Sequence, residues 1–282
     1  MGIDTVVTHF SQVPPILMVL AATGGLERPL VRALVAARLP LIVANPRQVR
    51  DCAKATGQLA KIHRLDAGVL ARFAEAGQPV RRPYPEAATE ALAALLARRR
   101  QVIEMLTTEK NRLSPAPKPM RRWIHAPVPW LTTKLALLDE ELDHAIQQRP
   151  VWREQEDLLW SAPGIGPVVS RTLLTHLPGL ATLTGKPMAA LVAVATLTCD
   201  SGTLRGPRRV WGGRAPVRAA LYRATLVATK CTSGDSQFLS QAAGHRQGAQ
   251  SGPRGVHAKV PEILNAMMKH CTPWRSVVPQ GT

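Results

Sequence analysis

The sequence predicts an α/β segment followed by a mostly α-helical remainder. Three observations predict it. Short apolar strands alternate with helical periods as far as residue 77. Between residues 78 and 150, two long stretches rich in Ala, Leu, Glu and Arg flank a run of prolines. From residue 151 onward, short helical runs surround a Pro-Gly-Ile-Gly turn and an arginine-rich loop. The parts 1–77, 78–150 and 151–282 are accordingly read as three domains.

Residues 14–20 (Pro-Pro-Ile-Leu-Met-Val-Leu) read as a buried strand leaving through the turn Ala21 to Gly25. Arg28 to Leu39 sets Leu30, Val31, Leu34 and Val35 at helical spacing. Leu41 to Ala44 is a second apolar strand. Asn45-Pro46 then offers an N-cap and a proline at the first helical position, opening a helix to about Ala55. Arg64 to Ala76 makes one more helix, and strand–helix–strand–helix at this spacing argues a parallel sheet. Gln78 to Pro85 is a linker. Glu86 to Asn111 reads as a long helix, Ser114 to Met120 as a break, and Trp130 to Gln148 as a second long helix with Leu131, Leu135, Leu138 and Leu142 in line. Such a pair makes an antiparallel hairpin or a coiled-coil arm, which either meets another subunit or covers its own core. Residues 151–195 supply three or four short helices, and Pro216 to Lys230 supplies another. His245 to Val260 has no period, as a frame-shifted segment would look, before Glu262 to His270 resumes a helical one.

A net charge of +17 and a pI near 10.9 attract polyanions, and the even spread of Lys and Arg points to nucleic acid more than to a membrane. No run of about 18 apolar residues is available to span a bilayer. Met1 to Asp4 lacks a basic start and an apolar core, so no signal peptide is expected. The cysteines, Cys52, Cys199, Cys231 and Cys271, form no Cys-x-x-Cys pair, which argues against zinc and for reduced thiols in the cytoplasm.

Two stretches carry chemistry. Cys199 to Arg223 holds six arginines and one acid, Asp200. Its arginines can clamp phosphates, its glycines allow close approach of backbone, and Ser201 can attack phosphorus if its proton is removed. A solvated basic loop is the plainer alternative. About 35 residues upstream, Pro163-Gly164-Ile165-Gly166 between two helices suits a helix-hairpin-helix. Gly164 and Gly166 would bring backbone N–H groups against a DNA phosphate without reading bases; a plain helix–helix turn is the alternative.

These words resemble the insertion sequence 110 and 1111 family, the DEDD-type transposases that act as RNA-guided serine recombinases. Leu158-Leu159, Pro163 to Gly166, Asp200-Ser201-Gly202, Arg205-Gly206, Gly212-Gly213-Arg214 and Val217-Arg218 carry the C-terminal match over residues 158–230. Ala22 to Arg28 and Leu65-Asp66-Ala67 carry an N-terminal one. The resemblance implies an RNase H-like (RuvC-like) domain, incomplete here, with its first hairpin expected upstream of Met1. It implies Ser201 as nucleophile, and DNA, a guide RNA and further copies of the chain as partners. Cytoplasmic work on the nucleoid is expected, with Arg205, Arg208, Arg209, Arg214 and Arg218 at the nucleic acid. It also implies magnesium held by four carboxylates. Here Ala21 stands at the glutamate position, His63 stands at one of the paired aspartates, and Asp4 lies in no comparable strand. Only Asp66 remains, a remnant that serves as both catalytic and metal residue on this reading. Glu27 reads instead as a first-turn acid favouring a helix dipole.

Two hypotheses follow. One is a DNA transposase working through Ser201, expected to be impaired because its metal site is incomplete. The other is a non-catalytic relic that still binds DNA or RNA. A structural coiled-coil protein would account for residues 86–148 but not for the loop around Ser201.

Overall fold

In a computed structural model of the chain, the residues described are 2–58, 60, 63–81, 83–177, 180–181, 192, 196–197, 200–206, 209–210, 212–231 and 253–274. The chain forms two compact units, Met1–Pro85 and Glu86–Thr282.

The first unit opens with α1 (Ile3–Gln12), where Ile3, Val6, Val7 and Phe10 follow a helical period and the helix packs against α2. Strand β1 (Met18–Ala21) starts later than residue 14. Pro14 and Pro15 have no N–H to give a ladder, so pairing begins only at Met18, whose N–H donates to the Pro40 carbonyl at 2.7 Å. Helix α2 (Arg28–Ala36) crosses to β2 (Leu41–Ala44), and the strands pair in parallel with Met18 opposite Leu41 and Ala21 opposite Ala44. Asn45 caps α3 (Pro46–Ala55) by accepting from the Arg47 N–H at 3.0 Å, with Pro46 at the first helical position. Helix α4 (His63–Gly77) packs on β1 and α3, and Val69 joins Ala44, Val49 and Ala53 in a small core.

The second unit begins with α5 (Ala87–Leu113), α6 (Lys118–His125) and α7 (Pro127–Gln147). The break expected over 114–120 is shorter than that, because Pro119 falls in the first turn of α6, where its missing N–H costs no helical bond. Helices α5 and α7 are antiparallel. Leu92 and Leu96 pack with Ile146 and Leu142, the Arg99 guanidinium donates to Asp139, and Arg149 donates to Glu86 at 2.8 Å, so partners recede along one helix as they advance along the other. Helices α8 (Pro150–Trp160) and α9 (Pro167–His176) follow.

Four two-residue strands come next: β3 (Thr196–Leu197), β4 (Asp200–Ser201), β5 (Leu204–Arg205) and β6 (Arg209–Val210). Strand β3 pairs with β6 and β4 with β5, both antiparallel, giving one ribbon nested inside another. Helix α10 (Ala215–Cys231) and helix α11 (Pro253–His270) complete the unit. The stretch expected to lack periodicity enters α11 at Pro253, and its earlier part lies outside the described residues. Leu159, Ile165, Leu173, Leu177, Val217, Leu221, Leu264 and Met267 form the principal core, where α8, α9, α10 and α11 meet.

Candidate nucleic-acid interface

The turn from Ser161 to Gly166 joins α8 to α9 and is seated by its own side chains. Ala162 and Ile165 are buried in the core beneath it. Gly164 has φ +80°, and a Cβ there would lie 2.3 Å from the Ala224 carbonyl oxygen and 3.0 Å from the Ala228 nitrogen of α10. Glycine is therefore required at 164 by the backbone angle and by a neighbouring helix. Gly166 is different. It is the N-cap of α9 with extended φ −112°, and a Cβ there would meet nothing within 4 Å. The open side of the turn is the Gly166 side, where the positive end of α9 begins.

Beneath the turn lies an ionic network that no sequence motif announces. Arg171 of α9 is buried and donates from Nε to Glu156 Oε1 of α8 at 2.8 Å and from Nη2 to Asp143 of α7. Ser170 Oγ donates to the same Glu156 oxygen at 3.1 Å and accepts from Trp160 Nε1 at 2.9 Å. Burial pushes the Arg171 guanidinium down, but the bonds and charges of Glu156 and Asp143 outweigh it and raise its pKa. The buried side of α9 is itself polar, with Ser170, Arg171, Thr172 and Thr175 beside Leu173, so no apolar stripe sets Arg171 apart in the sequence.

Ser201 lies exposed at the end of β4, and Gly202 turns the chain with φ +57° into Thr203 and β5. The Gly206 N–H donates to Asp200 Oδ1 at 3.1 Å, so the loop's one acid holds the return of its own hairpin. The strand pairing sets Asp200 opposite Arg205 and Ser201 opposite Leu204. Arg209 pairs through its backbone with Leu197, and Arg208 lies outside the described residues, as do the side chains of Arg205 and Arg209. Gly212 and Gly213 take φ +79° and +64° and lead into α10. There the Arg218 N–H donates to the Arg214 carbonyl, and Arg218 Nη1 reaches the Gly212 carbonyl at 3.4 Å. Thus Arg214 and Arg218 open the helix whose later turns receive Gly164.

The field here is positive. Burial, then the charges of Arg214 and Arg100, hold the His176 imidazole below its ordinary pKa and so keep it neutral. Arg100 and His176 are not among the expected site residues, because no local word joins α5, α9 and the loop.

Among the described residues, the first unit assembles no donor set for magnesium. Ala21, at the end of β1, offers no side-chain oxygen. Glu27 Oε2 is committed to the turn, accepting from Thr23 N at 2.9 Å, Thr23 Oγ1 at 2.8 Å and Gly25 N at 2.9 Å. Burial pushes this carboxyl up, but those bonds and its own backbone N–H hold it down at about 2. Asp66 lies in the first turn of α4, Asp4 lies in the first turn of α1, and the His63 side chain is outside the described residues. Among the described residues no three His, Cys, Asp or Glu side chains gather. Nor, among them, is any helix long and apolar enough to cross a membrane.

Two family models match the chain. Residues 1–116 match one described as a transposase of the DEDD type, and residues 156–240 match one described as the transposase IS116/IS110/IS902 family. No curated protein matches it.

Proposed function

Because the chain belongs to the IS116/IS110/IS902 family of transposases, we propose that its second unit grips DNA phosphates through the α8–α9 turn and the arginine loop, with Ser201 in the nucleophile's position. The transposase role, and DNA as partner, come with the family. On this reading α8, the turn and α9 are a helix-hairpin-helix within a transposase domain of residues 151–282. Residues 78–150 are an arm, and residues 1–77 are part of an RNase H-like domain. A guide RNA and a second copy of the chain are further partners.

The single observation that carries the reading is the exposed serine on the β4–β5 hairpin, next to a left-handed glycine and within an arginine-rich ribbon. Attack by Ser201 Oγ on phosphorus would form a serine–phosphate bond and break the bond to one deoxyribose oxygen. The proton that Ser201 gives up to a general base returns to that leaving oxygen, and Arg205, Arg208, Arg209 and Arg214 would offset the charge growing on phosphorus.

The carboxylates favour a second reading, binding without strand exchange. Asp66, with Glu27 engaged elsewhere and no group of three ligating side chains among the described residues, does not fit magnesium, and no step is derived through that ion. The test is recombination with donor, target, RNA and magnesium. The expected result is no exchanged product from the parent or from Ser201→Ala, with duplex DNA bound equally by both. Ala21→Glu with His63→Asp is expected to be a precondition for any effect of Ser201→Ala. Robust exchange by the parent, abolished by Ser201→Ala alone, would overturn the second reading.

A further inference from the structure

The far end of the α5–α7 hairpin carries a surface that the grip on DNA leaves unused. From Lys110 to Lys134 the chain holds six Lys and Arg residues and no Asp or Glu. Within that stretch α6 buries none of its residues. Trp123 on α6 is 66 % exposed and Trp130, in the first turn of α7, is 55 % exposed. Tryptophan is ordinarily well buried, so two exposed indoles on one basic element are a pattern rather than scatter. Each has a cation over its ring: the Arg122 guanidinium at 5.1 Å from Trp123, and the Lys134 ammonium at 6.0 Å from Trp130. Arg121 Nε donates to the Ala116 carbonyl at 3.1 Å, pinning α6 to the turn that precedes it.

We propose that α6 and the first turn of α7 form a stacking platform for the unpaired bases of a single-stranded nucleic acid. A cation covering one face of an indole leaves the other for a base, and such stacking tolerates any base because each has a π-face. Lys118, Arg121, Arg122 and Lys134 neutralise the phosphates that accompany those bases. Arg112 is paired with Glu109 at 2.8 Å, and the positive charge that remains at the tip argues against a second copy of this surface as the occupant, since two such tips would repel. A duplex also fits poorly, because its base faces are already stacked. The platform is separate from the Ser201 loop and does not rest on that loop being a DNA site.

The test compares the full chain with Trp123→Ala/Trp130→Ala on a labelled, unstructured RNA and on a duplex DNA of similar length. Affinity for the RNA is expected to fall at least about five-fold and affinity for the duplex to change less than about two-fold. Phenylalanine at both positions should retain most RNA binding and glutamine should not, which keeps the test decisive if the alanine chain misfolds. Arg121→Gln with Arg122→Gln should weaken binding of the RNA more than of the duplex, because the platform's phosphate contacts accompany unpaired bases. Equal loss on RNA and duplex, or no loss on either, would overturn the proposal. So would conversion of a dimer to a monomer with RNA binding intact. Loss of binding to phosphatidylserine vesicles with RNA binding intact would overturn it as well, by making the indoles a lipid contact.

Discussion

Gly164 and Gly166 stand two residues apart and make opposite demands on the chain. At Gly164 a methyl group would strike the α10 backbone from a left-handed φ, so Gly164→Ala is expected to cost about 2 kcal/mol or more in denaturant unfolding. At Gly166 there is room and an ordinary φ, so Gly166→Ala should stay within about 0.5 kcal/mol of the parent. Weaker DNA binding by Gly166→Ala would then report on phosphate contact and not on folding. Both glycines are legible in the sequence as turn residues, but which one packs is not, because the clashing atoms lie some 60 residues downstream. Glu27 behaves similarly. Its neighbourhood reads as a helix start, yet its carboxylate closes the turn behind it. With a folded pKa near 2, below the usual 4.5, its contribution is complete above about pH 4.5 and is lost as the pH falls toward 2. Glu27→Gln should therefore be less stable than the parent at neutral pH, and the two should converge in acid when unfolding is followed against pH.

At the scale of elements, α7, α8 and α9 are held together by one buried charge cluster. Arg171→Met leaves Glu156 charged and buried without its main partner, an expected loss of about 3–5 kcal/mol. Pairing it with Glu156→Leu removes the orphaned charge and should recover most of that loss, measured as a double-mutant cycle. A second variant without recovery would mean that the network is needed for more than compensating itself. The long helices are legible because their period persists over many turns, and the cap at Asn45-Pro46 because it is local. The ribbon of two-residue strands is too short to carry any period, and it is set by glycine turns and backbone pairing across the loop. Helix α6 is obscured by prolines that suggest a break, although Pro119 falls where a helix tolerates one. Helix α1 has a readable period that the absence of a targeting pattern does not reveal.

For the molecule as a whole, the net charge of +17 dominates any encounter with nucleic acid. Duplex affinity should fall steeply with salt and alike on unrelated sequences. Arg209→Ala with Arg214→Ala should lower the slope of log K against log salt by about 1 for each phosphate that the variant no longer neutralises. A salt-independent affinity would contradict a phosphate-based grip. The antiparallel hairpin adds a matter of reach. Leu92, at the end of α5 that packs with Leu174 of α9, and Leu113, at the other end, are separated along the helix axis by about 30 Å. That is about nine base-pair steps at 3.4 Å each. Shortening both helices by two turns would move the tip inward by about 11 Å, or about three such steps.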